Sequence, residues 1–192
     1  MKNRLILLFL LISAATLSQD WVARLNGTSN SHDAAYSIDV DASQNVYICG
    51  ELVNTTTGND FFVTKYNSSG AHQWTVTKNG NNLIDKAFSL VVDGSSNVYV
   101  AGFLRNATTS IDAVIYKFNS SGSQQWLITL AGLGGGSDQA NYITKDASDN
   151  LYVCGFYFTD NTTDEDVLTL KLSPAGSVLW QRTYNSPSSL RD

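Results

Sequence analysis

Three short runs, Asp41-Ala-Ser-Gln-Asn45, Asp93-Gly-Ser-Ser-Asn97 and Asp146-Ala-Ser-Asp-Asn150, alternate side-chain oxygens as a calcium-binding loop does. Such a loop also needs a glycine at its sixth position and a bidentate acid at its twelfth. Val46 and Leu52 stand there instead, so these runs are expected to be hydrogen-bonded hairpin turns. His32 and His72 are the only histidines, and no acid or nucleophile is placed beside either in sequence. No catalytic, cofactor-binding or metal-ligating residue is assigned, and the chain is expected not to be an enzyme.

The same runs belong to a repeat. Tryptophans stand at Trp21, Trp74, Trp126 and Trp180, spaced 53, 52 and 54 residues apart, with the sequence between them in register. Each of the first three is followed by a glycine (Gly27, Gly80, Gly132), an aspartate (Asp33, Asp85, Asp138) and an alanine (Ala35, Ala87, Ala140). Beyond the Asp-x-Ser-x-Asn turn come a tyrosine (Tyr47, Tyr99, Tyr152) and a glycine (Gly50, Gly102, Gly155). A further aspartate (Asp60, Asp112, Asp166) precedes a lysine five residues on (Lys65, Lys117, Lys171), and a glycine (Gly70, Gly122, Gly176) closes the unit. A catalytic residue has no reason to recur in every unit, so the Asp and Lys sets are read as ion pairs or hydrogen-bond networks that fix each one.

A period near fifty with four strand-like segments means propeller blades or a similar array. Ala87-Phe-Ser-Leu-Val-Val92 alternates as a half-buried strand should. Val98-Tyr-Val-Ala101 is apolar on both faces, as a strand stacked between two sheets must be. The Asn67-Ser-Ser-Gly70 type of turn places glycine where positive φ is needed. The stretches Val53 to Asn59 and Leu104 to Ile111 read as longer polar loops, where binding residues would sit. The predicted fold is all-β: three four-stranded antiparallel blades plus one strand of a fourth, an incomplete propeller. Repeats run over 21–73, 74–125 and 126–179, with a truncated fourth at 180–192. The strand at Trp180 is expected to complete the third blade from outside, as each earlier tryptophan strand can serve the repeat before it. An open arc of this kind is expected to expose apolar positions such as Phe62 and Leu168, favouring self-association or further blades downstream.

The pattern resembles the SBBP (seven-bladed β-propeller) repeat of exported bacterial proteins. The resemblance rests on the Asp-Ala-Ser-Gln-Asn-Val-Tyr-Ile-Cys-Gly run at 41–50, its copies at 93–102 and 146–155, and the Asp60-Phe-Phe-Val-Thr-Lys65 strand type. It implies a propeller in an extracellular or cell-surface setting, and it implies no reaction. Lys145 departs from it where the other copies have Val40 and Val92. The Gly-x-x-x-Trp endings also resemble the docking motif of quinoprotein dehydrogenases, but the acidic and amide residues around a quinone cannot be assigned. Each tryptophan is instead expected to fill a seam between blades, with its N–H bonded.

Cys49 and Cys154 hold equivalent positions two blades apart, with Ala101 between them, and are read as small packing residues too distant for a disulfide. Asn26, Asn54, Asn67, Asn106, Asn119 and Asn161 open glycosylation sequons, which matter only in a eukaryotic source. The chain carries 12 basic and 17 acidic residues, a net charge of −5, which argues against nucleic acid or an anionic membrane as partner. The expected partner is an unidentified protein or carbohydrate. The expected role is a non-enzymatic binding or display module; a propeller-enzyme fragment and a structural spacer array are the alternatives.

Residues 1–18 read as a signal peptide. Lys2 and Arg4 precede the apolar run Leu5 to Ile12, and Ser13, Ala14 and Ala15 supply the small residues of a cleavage site. The run falls short of the roughly 20 residues a membrane span needs. The mature chain is therefore expected to be secreted or held at the cell surface, without a membrane span. N-terminal sequencing of the exported product should begin between Ala15 and Asp20; Met1 on the membrane-free mature protein overturns the assignment.

Overall fold

A computed structural model describes residues 21–107, 110–132, 136–159 and 165–184. The expected signal peptide and the Asn161 sequon lie outside the described residues. Among the described residues, twelve strands form three antiparallel sheets of four, each in simple up-and-down order. The first holds β1 (Ala34–Val40), β2 (Val46–Asn54), β3 (Gly58–Tyr66) and β4 (His72–Lys78). The second holds β5 (Lys86–Val92), β6 (Val98–Asn106), β7 (Ser110–Phe118) and β8 (Gln124–Leu130). The third holds β9 (Gln139–Lys145), β10 (Leu151–Tyr157), β11 (Asp166–Leu172) and β12 (Val178–Tyr184). No described helix is long and apolar enough to cross a membrane.

The strands at Trp74, Trp126 and Trp180 each pair with the sheet before them: Lys65 faces Trp74, Lys117 faces Trp126 and Lys171 faces Trp180 in the ladders. A repeat counted from tryptophan to tryptophan therefore straddles two blades. The strand at Trp180 is the outer strand of the third blade.

Blades stack because the two middle strands are apolar on both faces. At the first joint Tyr47, Cys49, Phe61 and Val63 of one blade pack on Leu90, Val98, Val100 and Tyr116 of the next. At the second joint Tyr99, Ala101, Ala113 and Ile115 meet Ile143, Leu151, Val153 and Leu170 in the same way. The side chains on these joints are almost wholly buried, each contributing about 1.5–3 kcal/mol when apolar and large.

Residues 21–27 form no ladder, yet they alternate half-buried and exposed as a strand does. Trp21 rests on the Gly70 turn just as Trp74 rests on Gly122 and Trp126 on Gly176. The segment thus lies where the outer strand of a preceding blade would lie.

Two local expectations need correction. Phe62 and Leu168 are 3% and 0% exposed: both point toward the preceding side of their blades, where residues 21–27 cover one and the second blade covers the other. Ile38, Val40 and Val167 are among the apolar residues left open instead. The stretches 53–59 and 104–111 are mostly ladder, with Val53 opposite Asn59 and Arg105 opposite Ile111, so only a tight connection remains. The closing glycines Gly70, Gly122 and Gly176 have the expected positive φ, at 78°, 82° and 88°, and in the Asp-x-Ser-x-Asn turns the left-handed residue is Gln44, Ser96 or Asp149, at φ of 62°, 60° and 59°.

Each first strand carries an irregularity beside the glycine of the second, as between Ala87 and Ser89 opposite Gly102. A Cβ on Gly102 would sit 2.0 Å from the Lys86 carbonyl oxygen, so the backbones approach too closely for any side chain. Gly102→Ala should cost about 1–3 kcal/mol in chemical denaturation. Gly94→Ala, where nothing lies within 4 Å, should be close to neutral; equal effects would refute the close-approach argument.

Candidate functional site

The recurring polar residues gather at the joints, and most are engaged by hydrogen bonds. Asp41 Oδ1 accepts from the backbone N–H groups of Ser43 and Asn45, both at 2.9 Å. Its Oδ2 accepts from the Asn45 amide at 2.7 Å, the Ser96 hydroxyl of the next blade at 2.9 Å and the Tyr47 hydroxyl at 3.2 Å. Asp93 repeats the local pattern with Ser95, Asn97 and Tyr99, and Asp146 with Ser148, Asn150 and Tyr152. Burial pushes the Asp41 carboxyl up, but the Asn45 donors, Ser96 and Tyr47 outweigh it and hold the pKa at about 2. With those donors occupying both oxygens, the turn is a hydrogen-bonded hairpin.

A second set closes the opposite end of each joint. Asp85 is fully buried and accepts from the backbone N–H groups of Gly80 at 2.7 Å and Arg105 at 2.6 Å. Asp33 does the same for Gly27 and Val53, and Asp138 for Gly132 and Phe158. Each carboxylate therefore ties the end of one tryptophan strand to the second strand of the following blade. Asp60 lies across the joint from Asp85 and accepts from Asn54 at 2.8 Å and Thr57 at 2.7 Å. Burial raises the Asp85 pKa against its two backbone donors, and the Asp60 charge raises it further. Among the described residues no group of three His, Cys, Asp or Glu is placed to hold a metal ion.

The lysines and tryptophans recur for the same reason. Lys65 Nζ and Trp74 Nε1 both donate to the Ser120 carbonyl of the next blade, at 3.3 and 3.1 Å. Lys117 and Trp126 both donate to the Pro174 carbonyl, at 3.1 and 3.3 Å. Each ammonium also lies about 5 Å over the tyrosine ring of its own blade. Lys65 and Lys117 thus bind blade to blade rather than fixing a single blade, while Lys171 lies 3.8 Å from Asp146 and over the Tyr152 ring of its own blade. Lys86 and Glu51 add an ion pair at 3.1 Å across the first joint, which the repeat did not reveal because only these blades carry it.

His72 bonds Thr75 at 2.8 Å and meets the Tyr66 ring edge-on; His32 is exposed. Both cysteines are free: Cys49 is buried in the first joint, but Cys154 is exposed, because its packing position faces away from the second blade. A cavity of about 570 Å³ lies between residues 21–25 and the first blade, lined among others by Trp21, Leu25, Ile48 and Phe62. Sequence reading missed it, since no local pattern encodes the space between residues 21–25 and the first blade.

No protein-family model and no curated protein matches this chain. Among solved structures it is similar to one described as the crystal structure of the eukaryotic initiation factor, at 10% identity and a TM-score of 0.52. That match covers 86% of this chain and 35% of the other, so the chain spans about a third of its length. An ACO/RPE65 chimera is similar at 9% identity and a TM-score of 0.45, over 79% of this chain and 39% of that one. At such identity the first likeness shows the fold alone, a β-propeller arrangement of blades.

The Asp41 network carries a pH signature. Its folded pKa of about 2 lies below the ordinary 3.8, so its stabilisation is present above about pH 4 and is lost as pH falls toward 2. The stability gap between the native chain and Asp41→Ala should shrink across that window in urea titrations. A gap that stays constant from pH 5 to about pH 2 would count against the network.

Proposed function

We propose that this chain is an exported, non-enzymatic propeller segment of the SBBP repeat kind, acting as a binding or display module for a protein or carbohydrate. One observation carries this reading: the residues that recur in every repeat serve the joints, while the residues that differ between blades crowd one end. That end holds the β2–β3 and β6–β7 connections together with the segments leading into β5 and β9. Asn59 and Ile84 bridge there, as do Ile111 and Ser137, which brings the two kinds of connection side by side. Its surface is Thr28, Asn54 and Thr55 at one joint and Asn82, Leu83 and Ile84 at the next. Leu83 and Ile84 are exposed apolar residues beside neutral amides, a mixture that suits a sugar ring or a neutral protein surface. Such residues sit on short connections pinned by a rigid scaffold, where binding groups are commonly presented.

The sequence features that support export are the basic start and apolar run before Ala15. A photo-crosslinking amino acid placed at Thr56 or Asn82 in the native host should yield one discrete adduct. The same probe at Ser43 or Ser121, on turns at the opposite end, should yield none. Adducts from the turn end alone, or equal adducts from both ends, would move the binding surface elsewhere.

A further inference from the structure

Each first strand carries one residue more than its partner strand can pair. The register skips Tyr36 in β1, Phe88 in β5 and Asn141 in β9. A bulge of this kind turns the extra side chain out of the strand's alternation and re-aims it. The bulge recurs in all three blades, set by the close approach at Gly50, Gly102 and Gly155, but the side chain it presents differs each time. β1 packs on β5 and β5 on β9, whereas nothing comparable joins β4 to β8 or β8 to β12. The first strands are thus the inner edges of the stack, and the bulged residues follow one another from blade to blade. Tyr36 and Phe88 meet across the first joint at 6.0 Å, and Phe103 backs Phe88 at 5.5 Å. Tyr36 is 44% exposed, Phe88 is half-buried and Asn141 is exposed.

A buried acid holds one end of this strip in place. One oxygen of Glu51 accepts from the Tyr36 hydroxyl and from Lys86 at 3.1 Å, and the other accepts from the Asn59 amide at 2.7 Å. Lys86 also donates to the Tyr36 hydroxyl at 3.4 Å. The second joint closes without such a group, since Phe103 and Gln139 stand at the register positions of Glu51 and Lys86. Blade stacking therefore does not require the Tyr36, Glu51 and Lys86 set.

We propose that this inner edge binds a neutral saccharide, with the Tyr36 and Phe88 rings as its platform and Lys86 and Asn141 bonding the sugar hydroxyls. An aromatic ring offers a flat apolar face to the C–H bonds of a sugar ring. The Lys86 charge is balanced by Glu51, so the strip does not select an ion. An ammonium has three donors; with Glu51 and Tyr36 each taking one, a third remains for a hydroxyl. The Asn141 amide supplies both a donor and an acceptor. Because Glu51 fixes the ring and the ammonium beforehand, little ordering is left to be done on binding. The site lies on the inner edges rather than on the connections, so it goes beyond the binding surface proposed above and is tested separately from it.

Immobilised gluco-, manno-, galacto- and xylo-oligosaccharides, with polygalacturonate as the acidic comparison, are the probes. The full chain should be retained on at least one neutral oligomer and less on polygalacturonate. Tyr36→Leu, which keeps apolar bulk but removes the flat face, should weaken that binding about tenfold or more, as truncating a central aromatic contact does. Lys86→Ala and Asn141→Ala should each weaken it several-fold, and Ser121→Ala, on a turn at the opposite end, should leave it unchanged. If Tyr36→Leu fails to fold by circular dichroism, the exposed Asn141→Ala decides the matter. Retention on no neutral oligomer overturns the proposal, as does a preference for polygalacturonate. Binding that falls with Leu83→Ala but survives both Tyr36→Leu and Asn141→Ala also overturns it, and places the sugar on the connections instead.

Discussion

A four-stranded sheet with apolar residues on both faces of its middle strands cannot hide them by itself, and this chain depends on that constraint. Each blade needs a neighbour on either side, and the joint is the unit that the sequence repeats. Tyr47, Phe61 and Val63 are buried by the next blade rather than by their own. Stability in such an array is approximately a sum over units and nearest-neighbour joints. Among the described residues, the outer faces of the first and third blades are the ones without a neighbouring blade.

The polar repeat follows from the apolar one. Stacked sheets bury the ends of their strands, and buried N–H and C=O groups cost about 1–3 kcal/mol each if left unpaired. Asp33, Asp85 and Asp138 answer that cost at one end of the joints, each taking two backbone N–H groups. At the other end the Asp41 set shapes the hairpins, and the lysines and tryptophans converge on one carbonyl per joint. A residue set repeated for these reasons resembles a catalytic or metal-binding motif in composition, because both need oxygen and nitrogen atoms at fixed spacing. The geometry separates them: at Asp41 one oxygen accepts from two backbone N–H groups of its own turn, and the other from the Asn45 amide and the Ser96 and Tyr47 hydroxyls.

The repeat period, the strand content and the structural role of the Trp, Asp and Lys sets were legible in the sequence because they recur three times in register. Alternation in 87–92 and unbroken apolarity in 98–101 identified the half-buried and fully stacked strands, since burial on one face or two leaves those patterns directly. The candidate surface was legible only in outline. Stretches read as long loops are largely ladder, because Asn, Thr and Arg at the end of a strand look like loop residues when their partners across the hairpin are unknown.

By itself, then, the sequence determined what each blade is made of, for that depends on local alternation and on residues a fixed distance apart. Only the tertiary structure decided which side of a blade each residue faces. Phe62 and Val167 are both apolar and sit on neighbouring positions of the same strand type, yet one is buried and the other open. Successive side chains of a strand point to opposite faces, and which face has a neighbour depends on the order of blades around the joint. The same order placed Cys49 in a core and Cys154 on the surface. It also left residues 21–27, which join no ladder, beside a cavity that no local pattern encodes.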